Sequence, residues 1–306
     1  MKVIYGINKI PKKSALSVIT VGVFDGVHIG HQQIMKELLC KSKEMKAESV
    51  VVTFFPHPDK ILKEESAVSM ITSLSQRLNI IESMGIDKCL VINFTKAFSA
   101  IRGEVFLKNI LLNKLNMKSL IVGENFSFGS DKALKGNALK RLAEKYDFKL
   151  GLVKEKKRGA RIISSSYIRH LIEKGKFSVA SKLLARDFSI YGTVVKGRRR
   201  GRVIGFKTAN LDLHHEVIPP SGVYAAYAIL GNKKYKSIMN IGTRPTFDEK
   251  EPSVEVHLFD INKNIYGKDL EIFPVNRLRA ERRFKSKEHL RDQISQDVLL
   301  SKEILH

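Results

Sequence analysis

A chain of 306 residues, 43% hydrophobic and 28% charged, is ordinary for a soluble globular protein and has room for two domains with separate cores. No apolar run approaches the roughly 20 residues that span a bilayer, and the only two cysteines, Cys40 and Cys89, exclude a disulfide framework or cysteine metal site and fit incidental thiols of a reducing cytoplasm. A net charge of +23 attracts phosphorylated partners, nucleotides and nucleic acid alike, and does not separate the two.

The first apolar stretch, residues 18–24, is too short and too late for a signal peptide and predicts a buried parallel strand. Ile34, Met35, Leu38 and Leu39 then recur at helical spacing, and residues 49–55 (SVVVTFF) predict a second buried strand. Leu78 and Ile81 mark a helix that ends at Gly85, before a third strand over residues 89–94. A helix over residues 106–115 and a fourth strand over 119–122 extend the alternation, which predicts a doubly wound α/β domain with ligands at the carboxyl ends of its strands. A helix with Ile168, Leu171 and Ile172, closed by Gly175, and a second over residues 179–184 follow. Near residue 186 the pattern changes to short strands at 190–195, 223–229, 236–241, 254–259 and 270–275, which predict a small antiparallel barrel. From Ser286 an amphipathic helix closes the chain. The expected domains are residues 1–186 and 187–306.

The junction of the first strand and first helix reads Gly22-Val23-Phe24-Asp25-Gly26-Val27-His28-Ile29-Gly30-His31. Gly26 and Gly30 let backbone pass close to a ligand, and the helix N-terminus beyond favours phosphate. His28 and His31 can donate to phosphate oxygens as charge leaves a phosphorus atom. As a bare His-x-x-His pair they could also bind metal, but no third ligand stands at a suggestive spacing. The segment resembles the His-x-Gly-His signature of the nucleotidyltransferase superfamily. A second element, Ile163-Ser164-Ser165-Ser166-Tyr167-Ile168-Arg169, reads as a serine-capped helix. In the superfamily's pattern its hydroxyls and Arg169 clamp the β- and γ-phosphates of ATP.

Two further segments, Phe54-Phe55-Pro56-His57-Pro58 and Gly123-Glu124-Asn125-Phe126-Ser127-Phe128-Gly129, end the second and fourth strands. Their aromatic and proline surfaces can pack on a flat ring, and Asn125 can hydrogen-bond to it. With them the chain is similar to the prokaryotic bifunctional riboflavin kinase/FMN adenylyltransferase family. The resemblance implies that Gly22, Phe24, Gly26, Gly30, Ser164 and Ser165 bind ATP, and that Pro56, His57, Pro58 and Asn125 bind flavin. The chain departs from the family at Phe55, where Glu is common, at Ser166 for Thr, and at Ser127 for Arg.

The second half carries Gly197-Arg198-Arg199-Arg200-Gly201-Arg202-Val203-Ile204-Gly205-Phe206-Lys207-Thr208-Ala209-Asn210. A Walker A loop is rejected, since its Lys follows a Gly directly. An arginine-rich RNA contact lacks the aromatic platform that would accompany it. The run resembles the riboflavin kinase signature, in which Gly201 and Gly205 approach ATP. Thr208 and Asn210, on one side of an extended segment, can hold Mg²⁺ and phosphate. Lys207 stands where the family has proline, exchanging a fixed backbone for a flexible one with an added cation. The segments around Tyr224, Asn240 to Phe247, and Tyr266-Gly267 also match. In Ser253-Val254-Glu255-Val256-His257-Leu258 the alternation sets Glu255 and His257 on one face. By resemblance Glu255 is the general base toward riboflavin and Arg279 lies on a flap over the flavin, while His257, with no role assigned, is read as structural. The family implies a cytoplasmic enzyme that uses ATP, riboflavin and FMN with Mg²⁺, and needs neither nucleic acid nor membrane. The alternatives are an adenylyltransferase alone and a basic RNA-binding protein.

Overall fold

The computed structural model describes residues 1–63, 69–131, 134–196, 206, 208–213, 217–245, 250–282 and 284–305, with the backbone alone over 243–245 and 250–252. The chain divides into two compact units, Met1–Val68 with Leu74–Ser165, and Ser69–Ser73 with Ser166–His306.

The first unit begins β1 (Lys2–Tyr5), β2 (Ser17–Val21), α1 (Ile29–Glu44), β3 (Glu48–Phe55), α2 (Pro58–Leu62), α3 (Leu74–Ser83) and β4 (Lys88–Asn93). It continues with α4 (Lys96–Ser99), α5 (Gly103–Phe106), β5 (Met117–Gly123), the hairpin β6 (Ser127–Phe128) and β7 (Leu134–Lys135), α6 (Gly136–Lys145), β8 (Lys149–Val153), and the pair β9 (Lys157–Arg158) and β10 (Arg161–Ile162). Among the described residues the main sheet is parallel, in the order β1-β4-β3-β2-β5-β8. Alternate residues serve opposite faces. Val18, Val51, Cys89 and Ile121 pack with Met35 and Leu38 of α1 and Leu78 and Ile81 of α3. Ile19, Val50, Val52, Leu90 and Val122 pack with Phe106, Leu107, Leu111 and Leu139. Each such aliphatic side chain contributes about 1.5–3 kcal/mol on burial. Of the two cysteines, Cys89 is buried in β4, and Cys40 is exposed on α1.

Three details differ from the sequence-based expectation. The first strand stops at Val21 rather than Phe24, because Phe24 takes a left-handed conformation (φ 53°) and Gly26 follows at φ 75°. β1 and β8 add a strand at each edge. The helix over 106–115 is α5 running into a π-helix, Leu107–Leu112, with Asn113 N–H bonded to Lys108 O and Leu115 N–H to Ile110 O. The crossover that carries β5 to the far side of β2 creates a switch point between these strands, the place where open α/β sheets receive ligands at the carboxyl ends of their strands.

The second unit contains α7 (Ser165–Glu173, from its second residue), α8 (Phe177–Leu184), six barrel strands and a terminal helix. The strands are β11 (Ile190–Val195), β12 (Ala209–Leu213), β13 (Gly222–Leu230), β14 (Lys233–Pro245), β15 (Lys250–Leu258) and β16 (Asp269–Arg279). They close in the order β11-β12-β15-β14-β13-β16, every pair antiparallel. The closure removes free edges, and the change of pattern read near residue 186 falls between α8 and β11. Gly192 permits the close β11–β12 approach, since a Cβ there would lie 2.6 Å from Asp212 O. The terminal helix, α9 (Lys287–Ile304), starts at Ser286, whose Oγ accepts from His289 N–H at 3.2 Å. It is fastened to β14 by Ser301 Oγ, which donates to Ser237 O at 3.2 Å in a buried setting.

Candidate active sites

At the carboxyl end of β2 the chain must turn sharply into α1. Gly22 N–H completes the β2 ladder to Val52 O at 3.0 Å. The Phe24 ring folds back over Gly22, where a Cβ would meet it at 2.9 Å. After a single 3₁₀ turn, Asp25–Val27, His28 caps α1, its Nδ1 accepting from His31 N–H at 3.4 Å. A neutral His28 therefore carries its proton on Nε2. His28 and His31 lie nearly parallel with ring centroids 3.6 Å apart, and the Phe24 ring meets His31 edge-on at 5.3 Å. Gly30 makes room for this stack: a Cβ would lie 3.1 Å from the His28 ring. Burial, then His28, then Arg77 hold the His31 pKa well below the ordinary 6.5, so His31 is a neutral imidazole at neutral pH, with its buried Nδ1 unpartnered.

Ser165 Oγ, with Ser164 beside it in sequence, donates to Asp25 O of the 3₁₀ turn at 2.9 Å. Arg169 stands one helical turn along α7, and its Nη1 donates to Ser166 Oγ at 3.3 Å. Pro56, His57 and Pro58 follow β3, next to β2 in the sheet, and so share its carboxyl edge. His57 Nδ1 accepts from Asp59 N–H at 3.0 Å and caps α2, with Pro58 in its first turn. Phe54 joins a buried aromatic group with Phe94, Phe98 and Phe128. Asn125, after β5, donates from Nδ2 to Glu155 Oε1 at 2.5 Å.

Sequence reasoning missed Arg77. It is 1% exposed on α3, and its Nη1 donates to Val23 O at 2.5 Å and Thr53 Oγ1 at 3.1 Å. The signal was available: Leu74, Arg77, Leu78 and Ile81 fall at i, i+3, i+4 and i+7, so the charge sits on the apolar stripe of its helix.

In the barrel, Asn210 on β12 pairs with Glu255 on β15, and Thr208 Oγ1 lies 3.4 Å from Glu255 Oε2. Asn210 is buried and Glu255 half-buried. Glu255 opens on a cleft of about 640 Å³ whose apolar walls include Val223 and Ile238 and whose polar groups include Thr208, His257 and Arg279. That size and lining suit a flat organic ligand. Thr208 also lines a second cavity, about 330 Å³, with Ala209, Leu258, Asn262 and Tyr266. Thr208 thus stands between two chambers. His257 packs edge-on to Phe206 at 5.5 Å. Arg279 is held by Asp297 of α9, its Nε at 2.9 Å and Nη2 at 2.7 Å from Oδ2. Asp297 carries no local signal, because its helix registers only as amphipathic. Gly201, Gly205, Lys207 and the arginines at 198–200 and 202 lie outside the described residues. Among the described residues no three His, Cys, Asp or Glu side chains converge as a metal site. Thr208 and Glu255 bring two oxygen-bearing side chains together, with Asn210 opposite Glu255 on the neighbouring strand, and oxygen is the donor that hard divalent cations take.

Residues 10–167 match the family model described as FAD synthetase, and residues 184–305 match that described as riboflavin kinase. A bifunctional riboflavin kinase/FMN adenylyltransferase of Buchnera aphidicola subsp. Schizaphis graminum is 37% identical, covering 99% of this chain and 98% of the relative. The protein of the same description from Bacillus subtilis is 36% identical over 94% of this chain and 92% of its own. A crystal structure described as a macrolide-efflux protein from Streptococcus pneumoniae superposes with a TM-score of 0.84 at 29% identity, covering 99% of both chains. Two sites in two modules and full-length similarity lead to one conclusion: this chain belongs to the bifunctional riboflavin kinase/FMN adenylyltransferase family.

Proposed function

We propose that the protein phosphorylates riboflavin to FMN in its barrel and adenylylates FMN to FAD in its α/β module, using ATP in both reactions. The observation that carries this reading is the division of labour. A carboxylate with a hydroxyl beside it faces an apolar cleft in one unit, and stacked histidines stand at a helix N-terminus in the other. Residues 1–186 are assigned the adenylyl transfer and residues 187–306 the kinase reaction. Both modules match flavin-handling families, so the efflux named for the pneumococcal structure is not carried over.

In the kinase reaction the riboflavin 5′-hydroxyl gives its proton to Glu255 and attacks the γ-phosphorus. A new O–P bond forms, the bond to the β–γ bridging oxygen breaks, and ADP leaves. The 640 Å³ cleft takes the flavin and the chamber beyond Thr208 takes the nucleotide, which sets the two reactants on either side of that residue. Arg279 lines the flavin side, and Gly201 and Gly205 are assigned to ATP. In FAD formation an FMN phosphate oxygen attacks the α-phosphorus, the bond to the α–β bridging oxygen breaks, and pyrophosphate leaves. His28, through Nε2–H, and His31 stabilise the phosphoryl oxygens. Ser164, Ser165 and Arg169 hold the departing phosphates, and Gly22, Phe24, Gly26 and Gly30 shape the loop around them. Pro56, His57, Pro58 and Asn125 are assigned to the flavin of FMN. Thr208 and Asn210 would hold Mg²⁺, which supplies charge neutralisation on the phosphates.

Among the described residues no helix is long and apolar enough to cross a membrane. A cytoplasmic location, with no required nucleic acid, belongs to the same reading. An RNA-binding role leaves Glu255 and the histidine stack without a purpose. The test is product chromatography after incubation with ATP, Mg²⁺ and either riboflavin or FMN. FMN followed by FAD in the riboflavin reaction supports both assignments. FAD from FMN alone confines activity to the first module, and no flavin product refutes the proposal.

A further inference from the structure

A guanidinium removed from water is costly unless something nearby needs it. Arg77, 1% exposed, is such a group, and its Nη1 reaches three oxygens, none a carboxylate: Val23 O at 2.5 Å, Thr53 Oγ1 at 3.1 Å and Phe54 O at 3.4 Å. Its Nε has no partner. These contacts are local in space and distant in sequence. Val23 lies between Gly22 and Phe24, in the loop that delivers His28 and His31. Thr53 and Phe54 end β3, immediately before Phe55-Pro56-His57-Pro58. One nitrogen therefore ties the loop assigned to ATP to the strand end assigned to flavin.

We infer that Arg77 is a positioning residue for adenylyl transfer, locking the nucleotide loop to the end of β3 and thereby setting the histidine stack against the flavin segment. The inference rests on the assignment of FAD formation to the first module. Thr53 Oγ1 completes the lock, lying 3.0 Å from Val23 O as well as within reach of Arg77. The buried cation also adds positive potential behind a phosphate loop without touching the ligand, an arrangement that is worth most where water is excluded. The charged and titratable groups that act on His31 are His28, stacked on it from the cap of α1, and Arg77 from α3, with Asp25 of the turn acting on Arg77 in the opposite sense.

The experiment compares full-length wild type with Arg77→Lys, which keeps the charge, and Arg77→Met, which keeps the bulk. FAD formation from FMN is measured as kcat and KM, hydrogen exchange of the β2 and β3 amides reads folding of the first module, and riboflavin phosphorylation in the same samples controls for an intact second module. His31 is titrated by NMR of histidine-labelled protein. Expected is a kcat for FAD formation down about 100-fold in Arg77→Met and about 10-fold in Arg77→Lys, the scale of an ångström-sized misplacement. KM for ATP should stay within about threefold, FMN formation should be unchanged, and the His31 midpoint should rise in Arg77→Met. A kcat within about twofold of wild type in both variants overturns the inference. So does a loss that only tracks unfolding of the first module, with His31 titrating as before. Should wild type itself form no FAD, the adenylyltransferase assignment falls. The Arg77 inference falls with it, whereas unchanged kinetics in both variants of an FAD-forming wild type overturn the inference alone.

Discussion

Arg279 and Asp297 form a fork between the last barrel strand and the terminal helix, with Arg279 Nε at 3.1 Å from Oδ1 and 2.9 Å from Oδ2 and Nη2 at 2.7 Å from Oδ2. Asp297 is buried, and Gln293 Nε2 donates to the same carboxylate at 2.8 Å. The helix is thus made a wall of the 640 Å³ cleft. Asp297→Ala leaves the guanidinium without its partner and should destabilise the second unit by about 3 kcal/mol, near the low end for a buried pair because Arg279 keeps some exposure. Urea unfolding followed by a barrel probe measures this. The KM for riboflavin should rise, and FAD formation from supplied FMN should not change.

The two reactions should separate by substitution. Glu255→Gln should lower FMN formation by about 10²–10⁴-fold, the usual contribution of a positioned base, and leave FAD formation from FMN intact. His28→Ala should lower FAD formation by about 10²–10³-fold and spare FMN formation. Equal loss of both activities in either folded variant would contradict the assignment of one reaction to each module.

His31 makes stability depend on pH with a definite sign. Its folded-state pKa is depressed below the ordinary 6.5 by burial, His28 and Arg77. As pH falls through the unfolded value, the unfolded chain takes up a proton that the folded chain refuses, so the folded state loses ground. The loss approaches about 1.4 kcal/mol per pH unit below 6.5 and ends once the folded pKa is reached. Hydrogen exchange of β2 and β3 amides at pH 7 and pH 5.5 reads it, and His31→Gln should flatten the slope.

Gly30→Ala tests the tightness of the stack. The new methyl would sit 3.1 Å from Cε1 and Nδ1 of His28, so that ring must shift by a few tenths of an ångström. FAD formation should fall about 10-fold, while stability changes by less than about 1 kcal/mol at this first-turn position. Unaltered kinetics would mean the histidine spacing has slack.

The central strands were legible because parallel strands buried on both faces read as continuous apolar runs, as in residues 49–55 and 89–94. The edge strands were not. β1 buries only Ile4 among four residues, and β8 is interrupted by Gly151, where a Cβ would collide with Ile121. β12 reads as an extended segment, but one of its two partners, β15, is remote in sequence. The reactive motifs stood out because local order carries them: His28 to His31 spans one helical turn, and Glu255 alternates with its neighbours. Arg77 and Asp297 act across tertiary contacts, and each looks like one more charge on a helix until the fold buries it.

The contrast between the two thiols gives the protein a ready handle for spectroscopy. Burial pushes the Cys89 thiol up to about 12, with Arg77 pulling the other way, so it stays protonated and inert toward alkylating dyes at neutral pH. Cys40 is exposed, on the same helix whose first turn carries the histidine stack, about 16 Å along its axis from Ile29 at 1.5 Å per residue. A maleimide fluorophore should therefore attach at one position in the unmodified sequence, on a rigid rod that starts at the His28 cap. Energy transfer between that dye and a bound flavin would then report flavin binding without any engineered cysteine.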